Sequence, residues 1–229
     1  MGEALRSITL EKTKGCRLIN SKLPTIEIFN DVATPDEFQD LYELQALTNP
    51  RLVRDVGDQN YIILDEIPWG IPGCHYVAAS FTHVHPDGSR FSNGDYGVLY
   101  IADTMETAIA EVEYHQGRYF GNVEDLKFDR LVFRGLSCVF TGDVIHDATG
   151  LPATHAIHHP TDYTAARVLG AELRAGGSEG VQYWSVRNAG AICWGLFTPK
   201  HVQSVVQTAH YEFILRNGKI VDKRRIVVV

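Results

Sequence analysis

Apolar and polar positions alternate with different periods along the chain, and the changes of period mark its elements. In TPDEFQDLYELQAL, residues 34–47, Phe38, Leu41 and Tyr42, continued by Leu44, recur at helical spacing and predict an amphipathic helix. Thr34 is placed to cap it, Pro35 takes its first position and Glu37 completes a capping box. IPWGIPGC at 67–74 reads as an ordered loop, or as a join between two parts of the chain. HYVAASFTHV at 75–84 reads as a largely buried strand, PDGS at 86–89 as a turn and GVLYIA at 97–102 as a second strand. Asp103 is then expected to cap a helix over 104–115, with Glu106 three residues on. A further helix is predicted over 161–177, closed by Gly176 and Gly177. GVQYWSV and AICWGLF predict a hairpin around RNAG, and HYEFILRNGKIVD predicts another that turns at Asn217-Gly218. Residues 1–33 show no clear period.

Hairpins mixed with separate helices indicate an α+β fold, with a mixed or antiparallel β core flanked by helices, rather than a regular βαβ alternation. The loop at 67–74 divides the chain into an N-terminal extension, 1–70, that carries one helix and packs on a main domain, 71–229. With 229 residues, 45% of them apolar, the chain can bury a sizeable core.

The net charge of -7 argues against nonspecific nucleic-acid binding, which needs a basic face. KIVDKRR at 219–225 is the local exception and reads as a solvated strand end. Four separated cysteines without C-x-x-C spacing read as reduced thiols. No apolar run approaches a membrane span, and the first residues lack the apolar core of a signal peptide. The expectation is a soluble cytoplasmic protein.

The helix at 104–115 carries the candidate chemistry. At 100° per residue, Met105, Ala108, Ile109 and Val112 form its buried stripe. Glu111 and His115 lie along one border of that stripe, and Glu106 and Glu113 along the other. A border carboxylate can be held by the core and still face a cleft. Periodicity alone does not choose between Glu111 and Glu113, and it is equally consistent with solvated surface glutamates.

The run SRFSNGDYGVLYIADTMETAIAEVEYH, residues 89–115, resembles the central motif of RES-domain proteins, toxins of bacterial toxin–antitoxin pairs. The family pattern is a Gly-Arg-aromatic turn, a strand ending in Tyr, and a helix reading ETA-x-A-E. Here these are Ser89-Arg90-Phe91, Tyr100 and Glu106 to Glu111. The family serine follows a helix, a glycine pair and a strand, which nominates Ser185 in GSEGVQYWSVR. The resemblance covers roughly residues 75–200. It implies an ADP-ribosyltransferase-like fold that binds and splits NAD+ as a substrate, with no metal. It implies that Glu111 stabilises charge on the ribose, Arg90 holds the pyrophosphate, Tyr100 offers an aromatic face and Ser185 bonds the nucleotide or orients Glu111. Many relatives also carry an arginine on the first strand, about twenty residues before the Arg-aromatic turn. No arginine occurs here between Arg54 and Arg90, and His83 is the expected substitute. The resemblance further implies an Xre-like antitoxin covering Arg90, Tyr100 and Ser185, and self-association within that complex. It leaves the acceptor of ADP-ribose open among protein, phosphate and water.

Two other functions compete. One is a nucleotide- or partner-binding module without chemistry. The other is a metal-dependent hydrolase built on His83 and His85 or on His155, His158 and His159, although no cysteine or carboxylate joins them in a metal-ligand pattern. There is no GxGxxG and no Walker-type loop, so the expected NAD+ site is not Rossmann-like.

Overall fold

A computed structural model describes residues 5–22, 27–30, 32–47, 56–124, 126 and 129–226. Its strands are β1 (Arg6–Asn20), β2 (Leu99–Ala102), β3 (Arg130–Asp147), β4 (Gly180–Trp184), β5 (Ile192–Leu196), β6 (Val202–Arg216) and β7 (Lys219–Ile226). They form one sheet in the order β1-β2-β5-β4-β3-β6-β7. β1 also pairs with β3, so β1, β2, β5, β4 and β3 close into a ring and β6 and β7 continue outward from β3. The β3–β4 pair is parallel, and the other described pairs are antiparallel. The β1–β2 contact is confined to Cys16 opposite Ala102, which leaves a fork where the two strands part.

The helices are α1 (Pro35–Ala46), α2 (Cys74–Thr82), α3 (Met105–Gly121) and α4 (Thr164–Ala175). α3 lays Met105, Ala108, Ile109 and Val112, the stripe anticipated from its periodicity, on a cluster that includes Phe133, Tyr183 and Phe213. α4 adds Ala166, Leu169 and Leu173 to the same cluster. On the opposite face, Val77 and Phe81 of α2 pack on Leu99, Ile101, Leu136, Phe140 and Leu196. A third cluster stacks Phe29 on Phe38 and joins them to Cys74 and Ala78 of α2, so the segment around α1 is fastened through α2. No helix of the described residues is long and apolar enough to cross a membrane.

The α+β class holds, and several local expectations hold with it. Thr34 caps α1 by accepting from the Glu37 N–H, with Pro35 at the helix start. β4 and β5 pair antiparallel, and β6 turns into β7 at Asn217-Gly218, both at positive φ as a tight hairpin requires.

Other expectations are corrected. HYVAASFTHV is not a strand. α2 buries Cys74, His75, Val77, Ala78, Phe81 and Thr82, which recur at helical spacing, and this period overrode the β-branched and aromatic content. Residues 6–20, which show no sequence period, form strand β1. β1 pairs with β3 along its length, and its face alternation is interrupted by register shifts. The cap of α3 is Thr104, whose side chain accepts from Thr107 N–H, whereas the Asp103 carboxylate accepts from Ile192 N–H on β5. Leu44 lies on the exposed side of α1.

Candidate active site

Glu111 and Ser185 are brought together from elements 74 residues apart. Glu111 projects from the middle of α3, and Ser185 follows the last residue of β4. The Ser185 hydroxyl donates to Glu111 Oε1 at 2.6 Å. Ser185 Oγ in turn accepts from the backbone N–H groups of Arg187 (3.2 Å) and Asn188 (3.1 Å). A hydroxyl has one proton and two lone pairs, so these two donors occupy its acceptor sites and leave its proton for the carboxylate. Glu113 is set apart from this group: it pairs with Lys223 on β7. The structure thereby separates two glutamates that periodicity left equivalent.

Arg90 is 7% exposed and sits in a turn held from several sides. The Tyr100 hydroxyl accepts from the Phe91 N–H at 2.9 Å and bonds the Ser89 hydroxyl at 2.8 Å. Burial pushes the Tyr100 phenol up to about 12, so it keeps its proton. Arg167 of α4 donates to the carbonyls of Ser89 and Asp87. Gly170 allows α4 to lie directly on this turn, because a Cβ there would sit 2.1 Å from the Phe91 carbonyl oxygen. Tyr100 therefore acts first as the clasp of the Arg90 turn.

The Arg90 guanidinium donates from one terminal nitrogen to the carbonyls of Ile157 (3.1 Å) and His159 (3.0 Å), and lies 4.4 Å from the centre of the Tyr163 ring. Nε and the second terminal nitrogen bond no described residue. Arg187 faces the same segment: it donates to the Pro160 carbonyl, and its guanidinium lies over the Tyr114 ring of α3. The Arg187 Nε is buried without a hydrogen-bond partner. His115, one turn beyond Glu111, is pushed down to about 4 by burial of its ring and then by the charges of Arg187, Arg90 and Arg118. Much of the residue's outer surface is open to solvent, so that direction rests on the three guanidinium groups. The Glu111–Ser185 pair and the two arginines thus lie in one neighbourhood, where both guanidinium charges act on His115.

His83 lies elsewhere in this neighbourhood. It terminates α2 and bonds the Thr82 hydroxyl through Nδ1. It lines a cavity of about 560 Å³ at the β1–β2 fork, together with Arg17, His75, Tyr76, Ser89 and Tyr100. Ser89 and Tyr100, which hold the Arg90 turn, line this cavity, whereas Arg90, Glu111 and Ser185 do not. Arg17 of β1 spans the fork by donating to the Tyr100 carbonyl at 3.1 Å. No carboxylate lines the cavity beside it. Sequence reading missed Arg17 because the pattern was sought near Arg90 in sequence, whereas β1 reaches Tyr100 across 83 residues. Thr107 and Asn188 were also missed. The Asn188 amide donates to the Thr107 hydroxyl at 2.8 Å, joining the turn after β4 to the first turn of α3.

Among the described residues, no group of three or more His, Cys, Asp or Glu is placed to hold a metal ion. His155 and His159 serve their own turn: Nδ1 of His155 accepts from Ile157 N–H, and Nδ1 of His159 from Thr161 and Asp162 N–H. The turn they shape supplies the carbonyls that meet Arg90 and Arg187.

The family model described as the RES domain matches residues 67–216. An uncharacterized protein, y4oC, of Sinorhizobium fredii is 23% identical over 209 residues, which is 89% of this chain and 84% of that protein. A chain of the M. tuberculosis MbcT–MbcA toxin–antitoxin complex superposes with a TM-score of 0.39 at 14% identity, over 54% of this chain and 73% of that one.

Proposed function

This chain belongs to the RES domain family, and from that premise we propose that it is the toxin of a bacterial toxin–antitoxin pair that cleaves NAD+ at the nicotinamide–ribose bond. The observation that carries this reading is the Ser185 hydroxyl held on Glu111 by two backbone donors, with Arg90 and Arg187 nearby. Loss of nicotinamide builds positive charge on the ribose, as in glycoside cleavage. Glu111, already oriented, stabilises that charge without reorganising. Ser185 holds the carboxylate in that orientation.

The pyrophosphate takes the unused donors of Arg90, with the charge of Arg187 nearby. Tyr100 keeps the Arg90 turn in place and offers its ring at the wall of the neighbouring cavity. There Arg17 is a better partner than His83 for an anionic part of the nucleotide. Burial lowers its pKa, yet a guanidinium stays charged, and no described carboxylate lines the cavity beside it. The acceptor of ADP-ribose is a protein, phosphate or water, and the partner is an Xre-like antitoxin that covers Arg90, Tyr100 and Ser185 in a cytoplasmic complex. The complex also contains more than one copy of this chain.

Purified protein incubated with NAD+, with and without chelator, tests the reading. Nicotinamide release that chelator does not affect agrees with it. Release that chelator abolishes contradicts it.

A further inference from the structure

Glu111 is aligned through a relay that starts at Asn188, and we infer that Asn188 is a positioning residue for the reaction, acting through Ser185; this rests on the reading of Glu111 given above. The relay runs from turn to helix. The Asn188 amide donates to Thr107 Oγ1 at 2.8 Å, and Thr107 Oγ1 lies 2.9 Å from Thr104 Oγ1. The two threonine hydroxyls share one hydrogen bond, and Thr104 also accepts the Thr107 N–H as the cap of α3. Thr107 is fully buried, so this anchor is shielded from competing water.

The anchor fixes the backbone of Asn188, and the Asn188 and Arg187 N–H groups then point at Ser185 Oγ. Ser185 is 5% exposed. With both its lone pairs engaged, its proton goes to Glu111, with the Cys193 thiol as the neighbouring alternative. Glu111 and Thr107 are four residues apart on α3, so one helix carries both the reacting carboxylate and the anchor that aligns it. Without the Asn188 side chain the turn loses its tie to α3. The two N–H groups drift, and the hydroxyl is free to turn away from the carboxylate.

The test is a double-mutant cycle on the full chain, read as nicotinamide release. Asn188→Ala is expected to lower kcat about tenfold with KM within about twofold, and Thr107→Val to follow it. In a Ser185→Ala background, Asn188→Ala is expected to add no further loss, because its effect passes through the missing hydroxyl. Additive losses, a change confined to KM, or an unchanged kcat would overturn the inference. Amide exchange gives a second reading that does not depend on turnover. Asn188→Ala is expected to speed exchange at Arg187 and Asn188 while the core stays protected, and unchanged exchange there would overturn the anchor. Absence of nicotinamide release by the wild-type chain would instead remove the reading of Glu111 and leave the exchange measurement to decide the anchor alone.

Discussion

Ser185 donates its hydroxyl proton to Glu111 at 2.6 Å, although the two residues belong to different elements and only folding brings them together. Glu113, two residues from Glu111 on the same helix, reaches Lys223 on the outer strand instead. The two carboxylates therefore differ in what they can do, although both border the buried stripe of α3.

That difference predicts a contrast. Glu111→Gln should fold normally and lose NAD+ cleavage by roughly a hundredfold, the usual loss for one transition-state contact of about 3 kcal/mol. Glu113→Gln removes a half-exposed surface pair worth at most about 1 kcal/mol of stability and should leave turnover nearly unchanged. Steady-state nicotinamide release for the two variants checks this, and equal losses would contradict it.

Tyr100→Phe tests the clasp on the Arg90 turn. The substitution keeps the ring and removes the oxygen that accepts the Phe91 N–H. An orphaned buried donor costs about 1–3 kcal/mol, so the denaturant midpoint should fall with an unchanged slope. NAD+ binding measured by calorimetry should weaken as the turn loosens. Normal stability and affinity would mean that Arg167 and Gly170 hold the turn without help.

Arg17 and Arg90 should respond differently from His83. Arg17→Gln and Arg90→Lys are each expected to weaken NAD+ binding about tenfold or more, since lysine cannot reproduce the planar fork and glutamine carries no charge. His83→Gln should change affinity less than either. Calorimetric titration of the three variants gives the order, and a dominant effect of His83 would reverse the assignment.

The succession of a turn at Arg90, a strand at Tyr100 and a helix at Glu111 was legible because each element is local. The α3 stripe and the Asn217-Gly218 turn were readable for the same reason, since a single element determines each. What escaped depends on contacts between distant segments. β1 shows no period because it meets both β2 and β3 and shifts register along β3. Arg17 gains meaning only where β1 crosses Tyr100, and Asn188 only where its turn meets Thr107. α2 was misread as a strand because Val77, Phe81 and Thr82 suit either conformation, and packing of its helical face on Leu99 and Ile101 decided the outcome.

His75 predicts a pH dependence of stability. Burial first, and then the charge of Arg134, lower its pKa to about 4 from an ordinary value of 6.5. Between those values the unfolded chain binds a proton that the folded chain refuses, so stability rises with pH. The contribution is fully present above about 6.5 and is lost as pH falls towards 4, at a total cost of about 3 kcal/mol. His75→Gln should flatten this part of the stability curve in chemical denaturation. A wild-type curve already flat between pH 6.5 and 4 would contradict the burial of this ring as the cause.

The most direct measurement of the central claim is nicotinamide release from NAD+ by purified wild-type protein beside Glu111→Gln. The account predicts steady release by the wild type, insensitive to chelator, and about a hundredfold slower release by the variant at equal folded fraction. No release by well-folded wild-type protein, or release that Glu111→Gln leaves intact, would contradict it.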